Sequence, residues 1–160
     1  MLARRVVTGI GQGKTFTIDF SKHEYTEGKA ERELDHYTIY VYTPEMIVIE
    51  KLRAICQQMP EYPHRGQRTA RARDFFDIYR AVTAFDIDLA GEDNLELARR
   101  IFAAKDVPLR LLDKIGGQRE FHRPDWHAVT ASVTGRLEEF DFYFDFVLAA
   151  ATRLKALWVE

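Results

Sequence analysis

Hydrophobic and polar positions divide the chain into a strand-rich part, residues 1–43, and a helical part, residues 44–160. Thr15-Phe16-Thr17-Ile18-Asp19-Phe20 alternates with period two. Phe16, Ile18 and Phe20 share one face, and Thr15, Thr17 and Asp19 share the other. Val6 and Val7 form an earlier short apolar run, closed by Gly9, Gly11 and Gly13. The polar stretch from Ser21 to Asp35 reads as a surface loop. His36 to Tyr42 is β-branched and aromatic, so it reads as a strand.

The period then changes. Thr43 suits a helix N-cap, Pro44 the first helical position and Glu45 the positive end of the helix dipole. This helix should run to Met59, where Pro60 and Pro63 end it. A second helix is expected from Thr69 to Phe85. A third, Asn94 to Lys105, carries Leu95, Ala98, Ile101 and Phe102 as its stripe. Leu109 to Ile115 reads as a short helical turn ended by Gly116-Gly117, and Pro124 opens another short helix. Phe140, Phe142, Phe144 and Phe146 alternate like a strand. Over a longer span Phe140, Phe144, Val147, Ala151, Leu154 and Trp158 recur at helical spacing, and that length favours a C-terminal helix. The expected architecture is α+β: antiparallel or mixed strands first, then a helical bundle, in a single domain over 1–160.

Composition narrows the classes. The chain has 160 residues, 46% hydrophobic and 30% charged, which suits a globular core. A formal net charge of -2 gives no global field toward nucleic acid, so such a role needs a local basic patch. One cysteine, Cys56, excludes an internal disulfide framework and fits a reducing compartment. No apolar run approaches the ~20 residues of a membrane span, and Met1 to Val7 is too soon broken by Gly9 for a signal peptide. A soluble cytoplasmic protein, with no membrane partner, is expected.

Two features invite chemistry. Thr8-Gly9-Ile10-Gly11-Gln12-Gly13-Lys14-Thr15 resembles a phosphate loop in composition. That motif needs a glycine where Thr8 stands and a helix directly after Lys14-Thr15. A strand pattern follows instead, so a glycine-rich hairpin turn is the expectation. The second feature is the first helix pair. Val48, Leu52, Ile55 and Met59 make the core stripe of the first helix; Lys51 lies on its flank, whereas Glu50 and Arg53 point further away. In the second, Phe75, Ile78, Tyr79, Val82 and Phe85 form an apolar arc that contains Asp74, with Asp77 at its edge and Arg73 and Arg80 on the solvated side. A carboxylate on such an arc is costly unless a cation pairs with it. Lys51 is the natural partner, because helices joined by a short loop tend to pack antiparallel. An ion pair that only fixes helix packing and a working site are both open at this point. His64, Arg65, Arg68, Arg71 and Arg73 form a basic patch suited to an anionic ligand such as an RNA backbone.

Glu50-Lys51-Leu52-Arg53-Ala54, followed by Arg71-Ala72-Arg73-Asp74-Phe75-Phe76-Asp77-Ile78-Tyr79, resembles the paired motifs of the AbiEii/AbiGii-type nucleotidyltransferases, the toxins of type IV-like toxin–antitoxin systems. Thr17 to Ser21 resembles that family's third-carboxylate strand, and the resemblance spans Phe16 to Val82. It implies a polymerase-β-like fold with a helical C-terminal part. It implies transfer of a nucleotide from an NTP, with Mg²⁺, to an RNA such as tRNA or to a protein. Lys51 would contact nucleotide phosphates together with Arg68, Arg71 and Arg73. Asp74 or Asp77 would act as, or orient, a base, and Asp19 would be a metal carboxylate. The family's first motif, a Gly-Gly/Ser turn followed by Asp-x-Asp, has no match from Met1 to Ile18, and no acidic residue precedes Asp19. The chain thus resembles a C-terminal portion that is incomplete alone. Expected partners are an antitoxin or the missing N-terminal half, and a homodimer is open. The alternative is a catalytically inactive module binding RNA or protein through Arg65 to Arg73, or a purely structural domain.

Overall fold

The computed structural model describes the backbone of residues 3–8, 15–20, 23–64 and 66–158, with side chains from 23 onward in those ranges. Strands come first. β1 (Ala3–Thr8) and β2 (Thr15–Phe20) pair antiparallel, from Thr8 opposite Thr15 to Ala3 opposite Phe20. The glycine-rich connection 9–14 lies outside the described residues. A strand does follow it, so the helix that a phosphate loop requires is not there.

A second hairpin corrects the loop expected over 21–35. β3 (Ala30–Leu34) pairs with β4 (Tyr37–Val41). Asp35 and His36 connect them with φ of 50° and 67°, the left-handed pair of a type I′ turn. β3 is exposed along nearly all its length, so neither face is sorted into apolar positions and no alternation marks it.

α1 (Pro44–Cys56) starts as its cap residues dictate: the N–H of Met46 donates to Thr43 Oγ1 at 3.3 Å. It stops short of Met59. The next turns close with tighter bonds, Gln58 N–H to Ile55 O and Met59 N–H to Cys56 O, because Pro60 disfavours helical backbone just before it. Val48, Leu52, Ile55 and Met59 are all fully buried. α2 (Ala72–Phe85) begins three residues later than expected and ends on Asp86, whose φ of 50° lets the Ile87 N–H reach back to Val82 O. α3 (Glu92–Ala103) packs on α1. A 3-10 segment, Leu109–Gln118, buries Leu111, Leu112 and Ile115 and runs through Gly116-Gly117. Then come α4 (Arg119–His122), a 3-10 turn (Arg123–Asp125), α5 (Trp126–Ser132), α6 (Phe140–Thr152) and a last 3-10 turn (Lys155–Leu157).

The fold is α+β, two hairpins followed by a helical bundle. The core lies where α1 meets α2 and α2 meets α6. Phe75 of α2 stacks on Phe144 of α6 with ring centroids 5.0 Å apart, and meets Phe140 edge-on at 5.5 Å. The apolar arc of α2 is packed only as far as Val82; Phe85 is 63% exposed. Among the described residues no helix is long and apolar enough to cross a membrane.

Arg53 lies off the apolar stripe yet is enclosed. It is buried, donating from Nε and Nη2 to Glu50 Oε2 and from Nη1 to Gln57 Oε1. Helical projection onto one stripe assumes one covered face, but α1 is packed by both α2 and α3, so its polar flank is enclosed too. Glu50 keeps Oε1 buried without a hydrogen-bond partner among the described residues, and burial holds its carboxyl above the usual range.

Candidate functional site

The site is built on the α1–α2 contact. Lys51 leaves the flank of α1 and reaches both carboxylates of α2. Its Nζ lies 2.9 Å from Asp74 Oδ1 and 2.9 Å from Asp77 Oδ2. Arg71 Nε donates to Asp74 Oδ2, and Arg73 Nε donates to Asp77 Oδ1 at 2.8 Å. Every oxygen of both carboxylates therefore accepts from a cation. Burial works against the Lys51 ammonium, but its bonds to Asp74 and Asp77 outweigh that and hold it above the usual lysine value. Lys51 is thus a fixed, charged lysine. Three cations against two carboxylates leave the cluster with a formal charge of +1.

Burial differs across the cluster. The Asp74 side chain is 8% exposed, Lys51 24% and Asp77 27%. Asp74 is the inner anchor, whereas Lys51 and Asp77 reach the surface. Asp77 and Arg73 open into a groove of about 450 Å³ between α2 and the end of α5 with the residues just after it. Phe76, Arg80, Ser132 and Thr134 complete its polar and aromatic lining. Arg73 spans it, donating from Nη1 to Ser132 Oγ at 3.2 Å.

The start of α2 is held from far along the chain. Arg71, its N-cap residue, provides no side-chain cap. Instead the Arg71 N–H donates to His122 Nδ1 at 3.0 Å, and the Ala72 N–H to Asp125 Oδ2 at 3.2 Å. These bonds satisfy donors that a helix start leaves open. They also set the turn on which Arg71 and Asp74 sit. Burial, and then the charges of Arg68 and Arg71, push the His122 pKa down to about 4, against a smaller opposing effect of Asp74. The ring is neutral, and Nδ1 accepts, so Nε2 carries the proton; it is buried without a hydrogen-bond partner among the described residues. No short-range signal marks this cap, because His122 lies 51 residues from its partner and Asp125 lies 53.

The basic patch is less free than its sequence density implies. Arg68 donates from Nε to Gln58 O and from Nη2 to Gln118 Oε1, and sits 3.9 Å over the Phe121 ring. Arg71 and Arg73 are held by Asp74 and Asp77. Arg65 lies outside the described residues. Asp19 falls in β2 opposite Arg4, and its side chain also lies outside what is described. Among the described residues no group of three or more His, Cys, Asp or Glu is placed to hold a metal. Asp74 and Asp77, with all oxygens committed to cations, do not fit a Mg²⁺ seat. Their arrangement suits positioning Lys51.

A family model described as the nucleotidyl transferase AbiEii toxin of Type IV toxin–antitoxin systems matches residues 4–147. The chain belongs to this family. The match extends well beyond Phe16 to Val82, from β1 through the first half of α6, so it takes in both hairpins, the Lys51 cluster and the groove. AbiEii membership marks the chain as a nucleotidyltransferase-type toxin and implies an antitoxin partner. No curated protein and no solved structure matches the chain.

Proposed function

We propose that this AbiEii-family chain supplies the lysine–carboxylate side of a site that transfers a nucleotide from an NTP to an RNA such as tRNA. The observation that supports the reading is Lys51, charged, fixed by two carboxylates and set beside an open groove in a matched family. Phosphoryl transfer needs a positioned cation to offset charge on the phosphates more than it needs covalent chemistry. Lys51 takes that role. Asp74 holds it from within, and Asp77 holds it at the surface, where the second lone pair of each oxygen can still accept from an acceptor hydroxyl. Arg71 and Arg73 add positive charge at the same place, with Arg68 further off. Mg²⁺ would supply further charge neutralisation, and Asp19 is this chain's proposed residue toward it. No acidic residue precedes Asp19 among residues 1–18, so none of these residues is assigned as a further metal carboxylate.

A second reading has its own support. Full engagement of Asp74 and Asp77 by cations also suits a catalytically inactive module that binds RNA or protein. Label transfer separates the two. The chain is incubated with each labelled NTP, total tRNA and Mg²⁺, alone and with a protein carrying the Gly-Ser and Asp-x-Asp motif. Transfer that is lost in Lys51→Met supports the enzyme; no transfer in either arm supports the binding module.

A further inference from the structure

The groove beside the cluster adds Arg80, Ser132 and Thr134 to Arg73 and Asp77. Arg73, Asp77 and Arg80 fall at i, i+4 and i+7 on α2, so they form one stripe along its wall. Ser132 at the end of α5 and Thr134 just after it face them, and Phe76 also lines the groove. Arg80 is exposed and has no ion-pair partner among the described residues. Arg73, in contrast, is committed to Asp77 and Ser132.

Charge decides what the groove fits. Two arginines and one carboxylate leave its lining with a formal charge of +1. A phosphodiester carries one negative charge, which matches this lining, whereas an NTP carries several. Hydroxyls suit Asp77, since its oxygens can accept a ribose O–H while Arg80, one turn further on, takes the adjacent phosphate. A volume of about 450 Å³ falls within the range of ligand clefts. We infer that this groove seats a ribose-phosphate unit of a polynucleotide strand, with Asp77 on the ribose hydroxyl and Arg80 on the phosphodiester. The inference rests on the proposed function, in that it places the acceptor strand next to Lys51.

Binding of a labelled single-stranded oligoribonucleotide of about ten nucleotides by the full chain, followed by fluorescence anisotropy across a salt series, tests it. Arg80→Ala should weaken binding about fivefold or more and flatten the log–log salt dependence by roughly 0.7, the share of one single-strand phosphate contact. Arg80→Lys should restore the slope, and Thr134→Glu should weaken binding by repulsion. Binding of ATP, measured in parallel by calorimetry, should be unchanged in Arg80→Ala. Both substituted positions are exposed, and circular dichroism is the check that the fold is kept. An unaltered salt slope in Arg80→Ala overturns the inference, as does a wild-type chain that does not bind the oligonucleotide. So does an Arg80→Ala variant that loses ATP and keeps RNA, since the groove then belongs to the nucleotide. Loss of the proposed function reads differently: Lys51→Met then leaves ATP binding untouched, whatever Arg80→Ala does.

Discussion

Replacing Lys51 with methionine keeps most of the stem volume and removes the ammonium. Two hydrogen bonds of 2.9 Å are lost. Bonds to charged groups contribute about 1.5–3 kcal/mol each. Asp77 rehydrates on loss of its partner, so its bond counts near the low end. Asp74 is 8% exposed and cannot, so its bond counts near the high end. Arg71 still pairs with Asp74, and the methionine buries without the desolvation cost of an ammonium. Net destabilisation should be about 3 kcal/mol, or roughly 6–12 °C in Tm for a chain of this size. Urea unfolding at neutral pH gives the value directly. Asp74→Asn removes the charge that Lys51 neutralises, so the double variant Lys51→Met/Asp74→Asn should cost less than the two singles combined, by about 1–2 kcal/mol. A Lys51→Met variant within about 0.5 kcal/mol of wild type, or strictly additive singles, would refute the claim that Lys51 is pinned by a buried carboxylate.

Two further expectations concern the remote cap of α2. His122 has a folded-state pKa near 4, below its unfolded value of 6.5, so its contribution is complete above pH 6.5 and is lost as pH falls toward 4; His122→Asn, which keeps an acceptor for the Arg71 N–H but does not titrate, should lose about 3 kcal/mol less than wild type between pH 7 and 4, and parallel pH–stability curves would count against this. Asp125→Ala strips the acceptor from the Ala72 N–H and should cost about 1 kcal/mol by urea unfolding, with early exchange of the amides at the start of α2; an unchanged midpoint would show that the bond contributes nothing.

How much was legible follows from which contacts are local. α1 could be placed to the residue at its start because Thr43, Pro44 and Glu45 act within one turn. The Lys51–Asp74 pair was readable because a carboxylate on an apolar arc requires a cation, and the preceding helix offers one. Its extension to Asp77 needed coordinates, since an edge position in projection does not say what it faces. β3 was hidden because a strand exposed on both faces has no hydrophobic alternation. The burial of Arg53 was not legible because α1 is covered on more than one side. His122, Asp125, Ser132 and Thr134 act on α2 from more than fifty residues away, and no periodicity reports that. The density of arginines from 65 to 73 suggested a free basic surface, but Arg68, Arg71 and Arg73 are each bonded within the chain.

Lys51 is proposed to be a phosphate-binding lysine as well as a packing pin. Calorimetric titration of each NTP into the wild-type chain and into Lys51→Met, at a temperature where both are folded, tests it most directly. Saturable heat is expected for at least one NTP in the wild type and should be lost in Lys51→Met. Equal binding by the two proteins, or no binding by the wild type, would contradict it.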